Sequence, residues 1–230
     1  MHCYTFSKTG KRHLTLGQPG QDQLFGILGS KHSAVCLSDG GSFTAYGREA
    51  AQQTAAITAR LFYDHFWELL LADSATVRRT VCATLLPALQ EYATQKNIPP
   101  ESLAATMLVL AADDQGRFIS AHLGDGRILM QEQDLAPEQF SVISSPSCGV
   151  VPHSTYLTMN ASLMRHLKVA RVLRPAPRKF LLLTDGADEF LRSTQEPKTL
   201  PCRFSGQEIE HCLDALRPED DYSAVELSTG

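Results

Sequence analysis

Residues 34–41 read AVCLSDGG, and the predicted fold depends on this short stretch. The apolar run from Ala34 to Leu37 is followed at once by Ser38-Asp39-Gly40-Gly41. A short apolar run bounded by Asp and Gly indicates a buried β-strand that ends in a turn. Two other apolar runs end in the same way, at Leu123-Gly124-Asp125-Gly126 and at Leu183-Thr184-Asp185-Gly186. The chain therefore repeats one pattern, a strand with an aspartate at its end.

Two long segments between the first and second of these strands have helical periodicity. Apolar residues recur at three- and four-residue spacing from Gly47 to Leu71 and again from Ser74 to Gln95. Ser74 is predicted to cap the second helix, and Pro99-Pro100 lies beyond its end. A shorter helix is predicted from Gly206 to Leu216.

The remaining apolar runs are short and predict strands. They are Leu24–Leu28, Ala105–Ala112, Phe118–Leu123, Ile128–Gln131, Phe140–Ile143, Leu167–Leu173, Phe180–Leu183 and Tyr222–Leu227. Residues 105–123 are expected to form a hairpin around Asp113-Asp114-Gln115-Gly116. Because strands and helices are segregated along the chain, we predict an α+β fold with largely antiparallel sheets. A length of 230 residues suits one domain, residues 1–230.

Composition and charge exclude several classes of function. The net charge of −4 provides no general cationic field, so we expect neither a nucleic-acid partner nor a membrane partner. The sequence has no apolar run of about 18 residues that could span a bilayer, and its N-terminus lacks the apolar core of a signal peptide. Six cysteines occur without a CxxC pair or a zinc-type cluster. We therefore expect a cytoplasmic protein with reduced thiols.

The strand-end aspartates Asp39, Asp125 and Asp185 are more informative together than singly. Any one Asp-Gly pair could be only a turn. If strands of one sheet bring several of them to the same edge, the carboxylates repel one another, and a hard divalent cation relieves that repulsion. Oxygen ligands suit Mg²⁺ or Mn²⁺ better than zinc. The pattern therefore indicates a divalent-metal site.

The order of these motifs resembles the PP2C-type (PPM) metal-dependent serine/threonine phosphatases, particularly their shorter bacterial branch, from Gly10 to Leu227. The matching segments are, in order, Gly10-x-x-His13 with Gly17-x-Pro19-x-Gln21-Asp22, Ser38-Asp39-Gly40-Gly41 with Gly47-x-x-Ala50, Ala105-Thr106-Met107 with Gly124-Asp125-Gly126-Arg127, Leu183-Thr184-Asp185-Gly186, and Asp220-Asp221-Tyr222-Ser223-Ala224-Val225. The resemblance implies a β-sandwich of two mainly antiparallel sheets flanked by helices.

The resemblance also implies roles for individual residues. Asp39 would bridge two metal ions, the Gly40 carbonyl would ligate one of them, and Asp185 and Asp220 would hold the other. Asp22 would support a metal-bound water. The implied cofactors are two Mn²⁺ or Mg²⁺ ions, and the implied reaction is hydrolysis of phosphoserine or phosphothreonine by metal-activated water.

Two further roles follow from the resemblance with less direct motif support. Asp125 is a candidate ligand for a third, weaker ion. Where the wider family carries an arginine that holds the substrate phosphate, this chain has Gly17. His13 is therefore the candidate for donating a hydrogen bond to the substrate phosphate, with Arg12 as the nearby alternative.

The acidic positions at both ends of the motif series depart from the family pattern. Gln21 replaces the common acidic residue before Asp22, and Asp221 replaces the usual Asn after Asp220. Asp220 is chosen as the metal ligand because Ser223 then occupies the family's Thr position. We expect metal affinity to differ from that of better-known members.

Other functions remain open at this stage. A catalytically weak or silent PP2C-like binding module is one alternative, although the retained Asp39, Asp185 and Asp220 argue against it. A haloacid-dehalogenase-like phosphatase is prompted by Thr184-Asp185-Gly186, but Asp39-Gly40-Gly41 lacks the second aspartate of the Asp-x-Asp motif which that family uses.

The expected partners follow from the implied reaction. They are a phosphorylated protein substrate and a cognate Ser/Thr kinase, and the protein itself is expected to be a monomer. The segment Leu135–Ser162 occupies the place of a mobile flap in the family and is the candidate for substrate selection.

Overall fold

The computed structural model describes residues 1–132, 139–147, 155–159, 163–188, 200–201 and 205–229. The elements in chain order are β1 His2–Lys8, α1 Lys11–Thr15, β2 Gln23–Leu28, β3 His32–Ser38, α2 Gly47–Asp64, α3 Phe66–Leu71, α4 Ser74–Lys96, β4 Met107–Asp113, β5 Phe118–Leu123, β6 Arg127–Glu132, β7 Gln139–Ser144, α5 Leu163–His166, β8 Lys168–Val172, β9 Arg178–Leu183, β10 Leu200–Pro201, α6 Gly206–Leu216 and β11 Tyr222–Thr229. A 3₁₀ turn, Pro100–Ser102, precedes β4.

The described strands form two antiparallel sheets. One has the order β1-β11-β9-β6-β7-β10, and the other has the order β2-β3-β4-β5-β8. Strands β4 and β5 form the predicted hairpin, with Met107 opposite Leu123. Helices lie outside both sheets: α2 and α4 cover the five-stranded sheet, and α6 covers the outer face of the six-stranded sheet. The predicted α+β sandwich of two antiparallel sheets flanked by helices is confirmed.

The central strands are apolar on both faces because each sheet is buried on both sides. In β3, Val35 and Leu37 join the core between the two sheets, whereas Ala34 and Cys36 pack against the helices. Strand β9 alternates in the same way between the inner core and the layer beneath α6. Alternate residues of one continuous apolar run therefore pack into two different hydrophobic cores.

The helix predictions are correct in type but differ in two details. The segment 47–71 forms two helices, because His65 (φ −115°, ψ 29°) leaves the helical region between α2 and α3. The side chain of Phe66 is buried there and stacks on His32, with ring centroids 5.1 Å apart. The N-cap of α4 is Asp73 rather than Ser74, and its carboxylate accepts a hydrogen bond from the Thr76 N–H at 2.9 Å.

Several expectations concern the chain as a whole. Among the described residues, no helix combines the length and the apolar character needed to cross a bilayer. Within the described part of the chain, Cys3, Cys36, Cys82 and Cys212 are free cysteines, and the reduced state of the thiols stays a prediction. Of the predicted flap 135–162, residues 135–138, 148–154 and 160–162 lie outside the described part of the chain. The assignment of residues 1–230 to one domain stays a prediction.

Candidate metal centre

The predicted strand-end aspartates converge on one cavity of about 620 Å³. Asp39, Asp125, Asp185 and Asp220 all line it, together with Gly40. The prediction that strands of one sheet bring them together is wrong in one respect. Asp39 follows β3 of the five-stranded sheet, whereas Asp185 follows β9 and Asp220 precedes β11 of the six-stranded sheet. The cavity therefore lies between matching ends of the two sheets.

The carboxylate of Asp39 lies in the most strongly acidic part of this cavity. Burial raises the pKa of Asp39 well above its usual range, and the negative charges of Asp22, Asp185 and Asp220 raise it further. Each cause disfavours the ionised form, because a desolvated carboxylate beside other carboxylates is unstable. A hard cation removes both penalties at once, so the donor set fits divalent metal ions that prefer oxygen ligands.

Asp22 lies behind the cavity at the start of β2 and is buried. Its Oδ2 accepts a hydrogen bond from the Thr184 hydroxyl at 3.0 Å, while its Oδ1 has no hydrogen-bond partner within the described part of the chain. Burial raises the pKa of Asp22 to about 7. A buried carboxylate oxygen beside Asp39 fits a role in accepting a hydrogen bond from a water molecule in the site.

Close backbone packing fixes the position of Asp39 and Gly40. The Asp39 carbonyl accepts from the Thr106 N–H, and the Asp39 N–H donates to the Thr106 hydroxyl, both at 2.8 Å. A Cβ atom on Gly40 would lie 2.3 Å from the backbone of Gly47. Only glycine at position 40 permits this approach. The spacing Asp39-Gly40 to Gly47 is therefore also required by the packing of the loop onto the start of α2.

The two adjacent aspartates of the last motif have different surroundings. Asp220 lines the cavity, whereas Asp221 is buried and accepts hydrogen bonds from the Gly10 N–H at 2.8 Å and the Gln21 N–H at 2.6 Å. His13 Nδ1 lies 2.9 Å from Asp221 Oδ2. Ligand atoms of His13, Asp220 and Asp221 lie within 4.8 Å of one another. Since both oxygens of Asp221 already bind backbone groups, Asp220 remains the better candidate ligand.

The two candidates for holding the substrate phosphate also differ in position. His13 is only 4% exposed and does not line the carboxylate cavity. Arg12 is exposed and does line it. An arginine guanidinium can bind a phosphate in a bidentate manner without depending on pH. The geometry therefore favours Arg12 for this role, and the role predicted for His13 stays a prediction.

A buried ion pair that the sequence did not single out joins two of the motif loops. Arg127 Nε lies 2.6 Å from Asp188 Oδ1, and Arg127 Nη2 donates to Asp188 Oδ2 at 3.0 Å. Arg127 follows the Asp125 loop, and Asp188 lies in the helical residues 185–188 that begin at Asp185. The Thr155 hydroxyl also donates to Asp125. The one available signal for Asp188 was its three-residue spacing from Asp185 at the start of a helix.

His122 is buried near the end of β5, three residues before Asp125. Its burial predicts how the stability of the fold changes with pH. Burial, followed by the charge of Lys168, lowers the pKa of His122 from 6.5 to about 3. Since the folded pKa lies below the unfolded one, the unfolded chain binds the proton first. The resulting stabilisation is complete above about pH 6.5 and is lost as the pH falls towards 3.

We expect His122→Asn to reduce the loss of unfolding free energy between pH 7 and pH 5 by about 2 kcal/mol, at about 1.36 kcal/mol per pKa unit. An asparagine amide can still bond the Ser144 hydroxyl, which lies 2.6 Å from His122 Nδ1. Urea unfolding of both proteins at the two pH values measures this, and all other titrating groups cancel in the comparison. Parallel pH curves for wild type and variant would contradict the buried neutral state of His122.

The fold is a sandwich of two sheets flanked by helices, and carboxylates from both sheets meet in a cavity at one end. These features define a class of proteins whose acidic cavity suits hard metal ions. The chain belongs to the protein phosphatase 2C family, whose sequence profile matches residues 9–223. A search of curated proteins found no match. Membership of this family rules out the haloacid-dehalogenase-like alternative.

Solved structures share the fold at low sequence identity. A bacterial serine phosphatase superposes with a TM-score of 0.68 at 15% identity, covering 100% of this chain and 98% of its own. RsbX in complex with magnesium gives 0.62 at 15% identity, with 99% and 94% covered. PppA of Pseudomonas aeruginosa, a regulatory component of its T6SS, gives 0.62 at 17% identity, with 99% and 97% covered. At such identities these similarities establish the fold.

Proposed function

We propose that this protein is a metal-dependent phosphoprotein phosphatase that hydrolyses phosphoserine and phosphothreonine. The observation that carries the proposal is the convergence of Asp39, Asp185 and Asp220, from distant parts of the chain and from both sheets, on one cavity. Membership of the protein phosphatase 2C family supports the same reaction class. The alternative of a silent binding module is decided by the experiment below.

The proposed ligands are the side chains of Asp39, Asp185 and Asp220 and the Gly40 carbonyl, with Asp125 as a candidate for a further ion. Two Mn²⁺ or Mg²⁺ ions are proposed, and RsbX, which shares the fold, is described in complex with magnesium. When bound, such ions lower the pKa of water and neutralise phosphate oxygens.

The chain's own residues then have separate tasks. Arg12, at the cavity wall, binds the phosphate oxygens and aligns the phosphorus for in-line attack. Asp22 Oδ1 accepts a hydrogen bond from the attacking water and so orients it, because Oδ2 is already held by Thr184. No protein nucleophile is required, and the serine or threonine oxygen is the leaving group.

The proposed biological setting follows from this chemistry. The substrate is a phosphorylated protein, and the enzyme opposes a cognate Ser/Thr kinase in the cytoplasm, acting as a monomer. PppA is described as a key regulatory component of the T6SS, which is consistent with a regulatory role for proteins of this fold.

Removal and return of metal test the proposal. We expect the purified protein to hydrolyse 4-nitrophenyl phosphate with Mn²⁺, to lose this activity in EDTA and to regain it in excess Mn²⁺. Mn²⁺ should also raise the melting temperature, because an ion that binds only the folded state stabilises it. A rise in melting temperature without turnover would instead establish a binding module. The absence of both effects would refute the metal site.

A further inference from the structure

A second cavity, of about 690 Å³, adjoins the carboxylate cavity. It lies between the wall formed by α1 and residues 16–21 and the wall formed by residues 42–49, and we call it the side cavity. The two cavities share Arg12, Gln21, Ser42 and Phe43 in their linings. When a substrate phosphate is held at Arg12, the substrate polypeptide on either side of it therefore lies at the entrance of the side cavity.

The side cavity is lined by apolar groups that are unusually exposed. Phe43 is 75% exposed and Leu16 is 62% exposed, and both face this one cavity from opposite walls. Pro19 and Ala45 extend the apolar surface on the two sides. Single exposed apolar residues are ordinary, but two large ones that line one concave surface beside a reaction site are typical of an interaction site.

The charged side chains of the side cavity balance one another once Arg12 holds the phosphate. Arg12 and Arg48 contribute two positive charges to its lining, and Glu49 contributes one negative charge. Arg48 Nη1 also donates to the Gly20 carbonyl at 2.6 Å, which connects the two walls and keeps the cavity formed. A preformed cavity with exposed apolar side chains complements a peptide that carries an apolar side chain beside the phosphorylated residue.

We propose that the side cavity binds the polypeptide that flanks the phosphorylated residue of the substrate, and that it selects an apolar side chain at that place. This inference rests on the proposed function, because it concerns the substrate class of the same site. An aryl phosphate has no polypeptide beside its phosphate, so its hydrolysis does not depend on the peptide contacts proposed for the side cavity. Peptide selection and basic turnover can therefore be measured separately.

The test uses two phosphoserine peptides and matched surface variants. One peptide carries leucine on each side of the phosphoserine, and the other carries serine at those places. Leu16→Glu and Ala45→Glu each place a negative charge in the side cavity at an exposed position. Leu14→Glu is the control, because Leu14 lies two residues away on α1, is 64% exposed and lines neither cavity.

We expect the wild type to favour the leucine peptide about tenfold in kcat/KM, an effect of the size that one apolar contact provides. Leu16→Glu and Ala45→Glu should reduce this ratio to about one, whereas Leu14→Glu should leave it unchanged. Turnover of 4-nitrophenyl phosphate should be equal in all four proteins. An unchanged peptide ratio in Leu16→Glu or Ala45→Glu, with aryl phosphate turnover intact, overturns the inference alone. Absence of metal-dependent aryl phosphate turnover in the wild type overturns the proposed function.

Discussion

Replacing Asp39 by asparagine is expected to lower metal-dependent phosphate hydrolysis about a thousandfold while the fold survives. The pKa of Asp39 is raised by burial and by the charges of Asp22, Asp185 and Asp220, so a cation beside Asp39 relieves a large electrostatic penalty. Loss of ion-supported stabilisation in the transition state by several kcal/mol corresponds to this factor. Turnover of 4-nitrophenyl phosphate in Mn²⁺ measures it.

Stability measurements separate this effect from misfolding. Metal-free Asp39→Asn is expected to be at least as stable as the wild type, because a neutral amide removes the repulsion among buried carboxylates. The rise in melting temperature on addition of Mn²⁺ should shrink or vanish. Asp185→Asn should behave in the same way, whereas Asp64→Asn, on the exposed end of α2, should change neither property. Undiminished Mn²⁺-dependent turnover in both Asp39→Asn and Asp185→Asn would remove the basis of the proposed site.

Asp221→Ala is expected to destabilise the fold by about 3–5 kcal/mol. The Asp221 carboxylate holds the N–H groups of Gly10 and Gln21 and contacts His13, so it joins the last motif to both parts of the first. Truncation leaves two backbone donors without their acceptor, at about 1–3 kcal/mol each, and leaves His13 without its partner. Urea unfolding of metal-free protein measures the loss. Phosphatase activity should fall as well, because Asp220 and the Asp22 segment lose their common support.

Asp221→Asn is the matched control for this prediction. The asparagine oxygen can accept a hydrogen bond from one of the two backbone N–H groups, and the asparagine amide keeps its contact with the His13 ring. One backbone donor still loses its acceptor, so we expect about half the destabilisation of Asp221→Ala. Equal stability of Asp221→Ala and wild type would show that the buried contacts of Asp221 contribute little.

The sequence predicted the central strands and their aspartates because the signal there is local. Each apolar run is buried on both faces and is followed within two residues by an Asp-Gly pair, as Asp39-Gly40 and Asp185-Gly186 show. Helix α6 was predicted with its observed bounds, Gly206–Leu216. Its N-terminus carries a capping box of Ser205 and Glu208, which is also a local feature.

Elements that depend on distant partners could not be predicted. Strand β1 was missed because only Phe6 among its residues is buried, and the strand exists through its pairing with β11, with His2 opposite Ser228. The break at His65 depends on the packing of Phe66 against His32, which is far away in sequence. Tertiary contacts decide such features, and periodicity carries no record of them.

In the site, too, local motifs were predictable from the sequence, whereas contacts between distant segments were not. Motif order identified which residues approach the cavity, but neighbouring side chains with the same chemistry, such as Asp220 and Asp221, differ in which way they face. The pairing of Arg127 with Asp188 joins two segments that are sixty-one residues apart. Only the folded arrangement shows that this pair fixes one motif loop against another.

The division of the carboxylates between the two sheets has a mechanical consequence. Asp39 belongs to one layer of the sandwich, and Asp185 and Asp220 belong to the other. A cation bound by all three would connect the two layers, and it would lose ligands if one layer moved relative to the other. Metal binding, and with it the proposed activity, would thus depend on how the two sheets are aligned. A regulator that shifted one sheet relative to the other could lower the activity without contacting the substrate.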